Sequence, residues 1–283
     1  MSDTPVKEKF FGDILIHSFF VIPFLIAMGC ILLFSVVHLL TREPQSVYDF
    51  LEDVKTGGLT KRWQSAFELS KILANPDLIP EEERFFAELV NAFEHAKHDD
   101  NRVRQYLALA MGRTGHAEFV APLVESLREE KEENLAALIY ALGMLRHTEA
   151  APALYPYLEH PQARVRSMAV VALGSMADPN AAAALHRALN DSEPNVQWGA
   201  AVSLAKMGDA AGKAVLLNML NRHYLSQFPA VDAEEQNALL LTAIEAVDFL
   251  KDASLDERLG QLAMTDPDMK VRSAAQQILY KMN

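Results

Sequence analysis

Four related stretches of the chain begin at intervals of 31 residues: VRQYLALAMG (103–112), NLAALIYALG (134–143), VRSMAVVALG (165–174) and VQWGAAVSLA (196–205). Positions 1, 5, 8 and 9 of each stretch are mostly apolar or small, and these positions share one face of an α-helix. In the first copy they are Val103, Leu107, Ala110 and Met111. Each stretch therefore predicts a helix that buries one apolar stripe.

A second helical pattern precedes each of these stretches, and turn residues such as Asp100 separate the two. Asp and Ser in such turns are suited to cap the helix that follows. Less regular copies lie at 46–73 and 254–282, and a copy with a long internal connection lies at 212–250. Because one hairpin cannot bury its own stripe, the hairpins must stack. We predict an all-α solenoid of about seven helical hairpins.

The order of features within each repeat is an apolar helix, an Asp-containing turn, a Val-Arg pair and an Ala/Leu stripe that ends in Gly. This pattern resembles short bacterial HEAT-like repeats, also called phycobilisome-lyase HEAT-like repeats, over residues 45–283. The resemblance implies a right-handed solenoid whose second helices line a concave surface, which in this family usually binds other proteins. The Val-Arg pair is incomplete at Asn134-Leu135 and at Gln197, which affects local contacts between repeats and not the fold.

An apolar segment near the N-terminus, residues 14–40, contains no formal charge. About 20 apolar residues suffice to cross a bilayer, and a membrane helix tolerates a proline such as Pro23. The run is about twice as long as the apolar region of a cleaved signal peptide and lacks its cleavage motif. We predict a short tail (1–13), a single transmembrane helix in the lipid bilayer (14–40) and a solenoid (41–283). The flanking basic residues do not assign the orientation.

The charge and motif content of the chain limit its function. The net charge is −12, from 26 basic and 38 acidic residues, and an acidic chain without a basic stripe does not neutralise the phosphates of nucleic acid. The single cysteine, Cys30, excludes an intramolecular disulfide and a CxxC zinc site. The sequence contains no Gly-rich phosphate loop and no nucleophile elbow. We expect no nucleic-acid partner, no cofactor and no enzymatic activity.

Two tryptophans are candidate partner-binding residues. Trp63 and Trp198 are the only tryptophans, and they occupy the same repeat position. That position points away from the buried stripe, and tryptophan is enriched among the residues that dominate protein interfaces. The alternative is that both indoles pack against an adjacent repeat.

A long connection, residues 222–235, interrupts the regular repeat and contains Tyr224, Leu225 and Phe228. Loops of this length in a compact array are often functional. Two interpretations are open: the three apolar residues bind a partner, or the loop folds back over a groove or a neighbouring hairpin.

Four arginines share one repeat position: Arg62, Arg104, Arg166 and Arg272. They could form a basic ladder for an acidic ligand. The favoured interpretation is structural pairing, as in HEAT-like repeats, with turn carboxylates such as Asp99, Asp100, Asp191 and Asp268.

Two short clusters raise the question of a metal site: Glu94, His95 and His98, and Glu159 with His160. Deoxyhypusine hydroxylase, a HEAT-like metalloenzyme, uses His-Glu pairs in that order, whereas this chain has Glu-His. The HExxH pattern is also absent from the sequence. We predict no metal site, and we expect His116 and His147, which are 31 residues apart, to flank helices in the turns.

These observations favour a membrane-anchored scaffold or adaptor that binds a protein partner. The expected setting is a single-pass accessory subunit of a larger membrane complex, in the bacterial inner membrane. An alternative is a HEAT-like enzyme, either a chromophore lyase with bound bilin or a metal-dependent hydroxylase. A third possibility is a spacer that only extends the anchor.

Overall fold

The computed structural model describes residues 21–41 and 46–282. The chain divides into two compact units, Met1–Ser46 and Val47–Asn283. All regular secondary structure in the described ranges is helical, as the repeats predict. The predicted tail (1–13) lies outside these ranges.

Helix α1 (Ile22–Thr41) belongs to the first unit. Its apolar side chains from Phe24 to Val37 are exposed. Within the described ranges, however, no helix has the length and apolar character that crossing a membrane requires. The transmembrane helix predicted over residues 14–40 is therefore not supported by this part of the chain, and residues 14–20 lie outside it.

Residues 47–282 fold into seven helical hairpins, the number that the repeats predict. In chain order they pair α2 (Val47–Thr56) with α3 (Leu59–Ile72), α4 (Glu83–His95) with α5 (Asn101–Thr114), α6 (Val120–Leu127) with α7 (Glu132–Leu145), α8 (Ala151–Leu154) with α9 (Ala163–Met176), α10 (Ala182–Ala188) with α11 (Pro194–Lys206), α12 (Lys213–Met219) and α13 (Arg222–Leu225) with α14 (Ala233–Leu250), and α15 (Asp256–Thr265) with α16 (Met269–Met282). Each second helix packs against the second helix of the next hairpin.

The 31-residue period of the sequence is retained by four second helices. The helices α5, α7, α9 and α11 begin at Asn101, Glu132, Ala163 and Pro194. Their predicted stripes are buried; Val103, Leu107 and Met111 have no exposed surface in the first copy. The one polar residue of the fourth stripe, Ser203, is satisfied because its hydroxyl donates to the carbonyl of Val170 at 3.1 Å. The stripe predictions are confirmed.

The buried side chains form two clusters that meet at α11. Val196 and Ala200 belong to the first cluster, which extends back to α2. Trp198 and Ala201 belong to the second, which extends forward to α16. Helix α11 therefore contacts the preceding hairpins with one side and the following hairpins with another.

Glycines at the end of three stripes allow successive second helices to approach closely. A Cβ atom added at Gly112 would lie 2.8 Å from Cα of Ala141, and one at Gly143 would lie 2.7 Å from Cα of Ala172. At Gly174 the added atom would lie 2.9 Å from Cα of Ser203. In these three stripes, a larger residue than the terminal glycine would overlap the residue that faces it in the next repeat.

A residue with positive φ follows each of the second helices α5, α7, α9 and α11. These residues are spaced 31 positions apart: Gly115, Arg146, Ala177 and Gly208. A left-handed residue commonly ends a helix, and glycine adopts that conformation without strain. Two repeats hold the conformation with Arg146 and Ala177 instead. The end of the second helix is therefore part of the repeat even where glycine is missing.

Candidate partner-binding surface

Trp198 lies in an aromatic cluster and not on an open surface. Its indole is 3% exposed, and it makes edge-to-face contacts with Tyr224 at 6.5 Å and Phe228 at 5.2 Å between ring centroids. Tyr224 and Phe228 contact each other at 5.2 Å. The connection 222–235 therefore folds back onto α11, which is one of the two alternatives that the sequence left open.

Two of the candidate residues, Trp198 and Leu225, are buried. Leu225 has no exposed surface, and Trp198 presents almost none, so neither is an exposed anchor for a partner. The Nε1 atom of Trp198 is buried without a hydrogen-bond acceptor. Tyr224 and Phe228 are partly buried against the same core. The connection therefore covers part of the second core cluster with its apolar side chains.

Trp63 occupies the same repeat position but a different environment. It is half-buried against the first core cluster. The guanidinium carbon of Arg102 lies 4.6 Å from its ring centroid, a distance that is typical of a cation–π contact. One face of the Trp63 indole is thus covered by an arginine of the next hairpin.

Three of the four repeat arginines form ion pairs within the stack. Arg166 binds Asp191 through two hydrogen bonds of 2.8 Å, and Arg62 contacts Asp99 at 2.7 Å. The Arg166 guanidinium lowers the pKa of the Asp191 carboxyl. These two pairs confirm the structural interpretation of the arginine ladder.

Arg104 and Arg272 are also held inside the stack, but by other groups than the predicted carboxylates. Arg104 pairs at 2.8 Å with Glu130, and both side chains are 2% exposed. Its guanidinium also donates to the carbonyl of Phe93 and lies over the Phe93 ring. Arg272 donates to the carbonyl of Asp266 at 2.7 Å. None of the four arginines projects from the stack as part of a ladder for an acidic ligand.

The Glu-His clusters do not converge on a metal-binding geometry. The ring Nδ1 of His95 lies 2.8 Å from the carbonyl of Asn91, and Glu94 contacts the Ser126 hydroxyl at 3.4 Å. In the described ranges, no group of three or more His, Cys, Asp and Glu side chains is arranged to hold a metal ion.

A groove of about 280 Å³, the Trp198 groove, lies over α11 and its neighbours. Its lining includes Val171, Trp198, Gly199, Val202, Lys206 and Leu239. The repeat position of Gly199 is held by Tyr106 and Met168 in two other hairpins. The missing side chain at Gly199 therefore contributes to the depression in this part of the surface.

A larger groove of about 550 Å³, the Tyr140 groove, lies along the second helices α5, α7 and α9, which precede α11 in the stack. Its lining includes Arg113, Tyr140, Met144, Arg146, Val171 and Ser175. Val171 lines both grooves, so the two grooves adjoin. The surface that they cover on α5, α7, α9, α11 and α14 is here called the second-helix trough. No Asp or Glu is among the described residues that line it.

Apart from Trp198, the residues of the trough were not among the candidates from the sequence, although the repeat frame contains a signal for them. One repeat position holds Arg113, Met144, Ser175 and Lys206, and another holds Tyr140, Val171 and Val202. All seven residues line the trough. Reading the repeat positions outside the buried stripe would have identified them.

Comparisons with known proteins agree with this architecture. The sequence pattern of the HEAT-repeat family matches residues 87–166 and 151–225. This match supports the expectation of HEAT-like repeats over residues 87–225. A search of curated proteins finds no significant match to the chain.

Among solved structures, this chain is similar to the complex of CpcE and CpcF of phycocyanin lyase from Nostoc sp. PCC7120. The similarity has a TM-score of 0.60 at 16% identity and covers 86% of this chain and 97% of that chain. Human deoxyhypusine hydroxylase gives a TM-score of 0.35 at 16% identity, with 83% and 95% of the two chains covered. A designed armadillo repeat protein gives 0.38 at 17% identity, with 84% and 100% covered. The first similarity supports the fold; the other two are too distant to support an argument.

Proposed function

We propose that this protein is a non-catalytic adaptor that binds a protein partner with the second-helix trough. The observation that carries the proposal is the trough itself, because its two adjoining grooves extend across four regular repeats and the sixth hairpin. Tyr140, with 43% of its surface exposed, is a large aromatic residue in this surface. Aromatic residues that lie in grooves commonly dominate the energy of protein interfaces.

The similar phycocyanin lyase structure supports a protein-binding use of such a stack. That structure is a complex of two proteins, CpcE and CpcF. We infer that the present chain also acts as one member of an assembly, and that the assembly is a membrane complex to which this chain is an accessory subunit.

The membrane part of the proposal is supported by the apolar segment 14–40. On α1, Phe24, Ile31 and Phe34 each expose more than half of their side-chain surface. Exposing a continuous apolar helix to water is unfavourable, at about 25 cal/mol per Å². Insertion of this segment into a bilayer as a single-pass anchor would remove that cost.

The alternative of a HEAT-like enzyme is kept because the similar Nostoc structure is of a lyase. A chromophore lyase would bind bilin, and a metal-dependent hydroxylase would contain stoichiometric metal. The adaptor requires neither.

The proposal is tested by purifying the tagged full-length chain from native membranes in mild detergent, followed by native mass spectrometry, metal analysis and absorbance spectroscopy. We expect the chain in the membrane fraction, with one stoichiometric protein partner that is lost from a Tyr140→Ala variant. The matched control is Tyr280→Ala, which removes an exposed tyrosine of α16 outside the trough. Bound bilin or metal without a protein partner would overturn the adaptor, and a chain absent from membranes would overturn the anchor.

A further inference from the structure

We propose that the second-helix trough binds an acidic segment of the partner, one that carries several carboxylates and at least one large apolar side chain. This inference deepens the proposed function and rests on it. It concerns the chemistry of the segment that is recognised, and so it can fail while the adaptor function stands.

The charge of the trough is opposite to the charge of the chain. The whole chain has a net charge of −12, yet the trough is lined by Arg113, Arg146 and Lys206 and by no described acidic residue. A groove lined by basic side chains attracts acidic ligands. Charge complementarity therefore selects an acidic partner segment.

Two of these basic groups are free to bind. Arg146 and Lys206 are exposed, and neither forms an ion pair with any residue in the described ranges. Arg113 donates to the backbone carbonyl of Ser70, which leaves its positive charge without a carboxylate. The repeat arginines, by contrast, already bind partners inside the stack, as the Arg104–Glu130 pair illustrates.

The remaining lining of the trough is suited to an apolar side chain. Gly199 leaves a depression that is bordered by Trp198, Val202 and Leu239, and the indole beneath it is fixed by its buried contacts. A rigid apolar depression next to Lys206 fits a segment in which a large apolar residue lies close to a carboxylate. This combination distinguishes a peptide from a simple polyanion, which has no apolar group to insert.

The length of the trough sets the size of the segment. Adjacent helices pack roughly 8–10 Å apart, so three intervals from α5 to α11 span on the order of 25–30 Å. An extended chain covers roughly 3.3 Å per residue, and about eight residues are needed to reach from Arg113 to Lys206.

The test uses the full-length chain in detergent and a fluorescein-labelled peptide of about ten residues, composed of Glu, Asp, Leu and Phe, with anisotropy as the readout. Its matched probe carries Gln and Asn in place of the acids. We expect the acidic peptide to bind at least about tenfold more tightly, and the double variant Arg146→Gln, Lys206→Gln to lose about tenfold, because it removes two exposed cationic groups from the trough. Arg128→Gln, an exposed arginine outside the trough, serves as the control and should bind as the native chain does.

Three results would overturn the inference: equal binding of the two peptides, undiminished binding by the double variant, or competition by duplex DNA as strong as by unlabelled acidic peptide. Circular dichroism and thermal unfolding verify that each variant is folded. If the peptide fails while the native partner still co-purifies through Tyr140, the adaptor stands and only the acidic chemistry is wrong. If the native partner is also absent, the proposed function itself fails.

Discussion

Tyr155 and Asp178 show how a single polar contact links two successive hairpins. The Tyr155 hydroxyl donates to Oδ2 of Asp178 at 2.6 Å, and the carboxyl is 5% exposed. This hydrogen bond raises the pKa of Tyr155 to about 12 and lowers the pKa of Asp178 below its ordinary value of 3.8. One repeat later, the same two positions hold His186 and Asp209, which are 2.6 Å apart but far more exposed.

We predict that Tyr155→Phe lowers the free energy of unfolding by about 1–3 kcal/mol at neutral pH, because it removes a donor from a buried carboxylate. The contribution of the Asp178 carboxylate to the free energy of unfolding is present above pH 3.8 and is lost as the pH falls through the depressed pKa of Asp178. The Tyr155 contribution is present below about pH 10 and is lost as the pH rises towards 12. Urea unfolding from about pH 3 to 11 should therefore show a constant difference between native and variant chains in the middle range, and a smaller one at both ends.

The matched variant for this measurement is His186→Gln. Its pair is exposed, and exposed pairs contribute roughly 0–1 kcal/mol, so the variant should unfold almost as the native chain does. A Tyr155→Phe variant that is no less stable than His186→Gln would show that the buried hydrogen bond does not stabilise the contact between these hairpins.

At the scale of helices, the close approach of α5 and α7 depends on Gly112. We predict that Gly112→Ala lowers the free energy of unfolding by about 1–3 kcal/mol, since the new methyl group would overlap the α7 backbone at Ala141. Gly260 provides the matched control: it lies inside helix α15, and nothing lies within 4 Å of an added Cβ atom. Gly260→Ala should stabilise the chain by about 0.5–1 kcal/mol, because alanine favours a helix over glycine.

Both variants can be measured by thermal and denaturant unfolding of the same preparation. Opposite signs are the expected outcome. Equal or reversed effects would mean that the second helices are not packed as closely as the glycine positions require.

Most of the helices could be predicted from the sequence, because the helix period and the 31-residue repeat are both local patterns. The stripe that begins at Val103 specified both the helix and its buried face. The left-handed conformation of Arg146 could not be predicted from residue type, because the corresponding positions in other repeats are the glycines Gly115 and Gly208 and this one is not. Repeat position, not residue type, identifies it.

The candidate site was predicted less well, because exposure is decided by tertiary packing. Trp198 occupies a position that points away from its own buried stripe, and a local pattern therefore gives it an exposed face. The connection that returns from the sixth hairpin covers it with Phe228. The sequence left this alternative open, but only three-dimensional contacts decide between the two. The basic residues of the trough could not be predicted from residue type, because arginine and lysine are common; only the repeat position that Arg113 and Lys206 share, outside the buried stripe, distinguishes them.

At the scale of the whole molecule, the seven hairpins form a continuous stack. The repeat arginines and the glycines at the ends of the stripes lie inside this stack, in polar contacts and in close helix packing. What remains on the second helices is a surface with partly exposed aromatic and basic side chains. An acidic chain thus presents a locally basic trough, and that contrast makes the trough the expected place of contact.

The measurement that tests the trough most directly is site-specific photo-crosslinking of the full-length chain in its native cells. A benzophenone amino acid is placed at Tyr140, in the trough, or at Glu125, an exposed residue on the first helix α6. We predict that one protein is crosslinked through position 140 and not through position 125. Crosslinking to a protein through position 125 alone, or through neither position, would contradict the claim that the second-helix trough is the surface by which this protein acts.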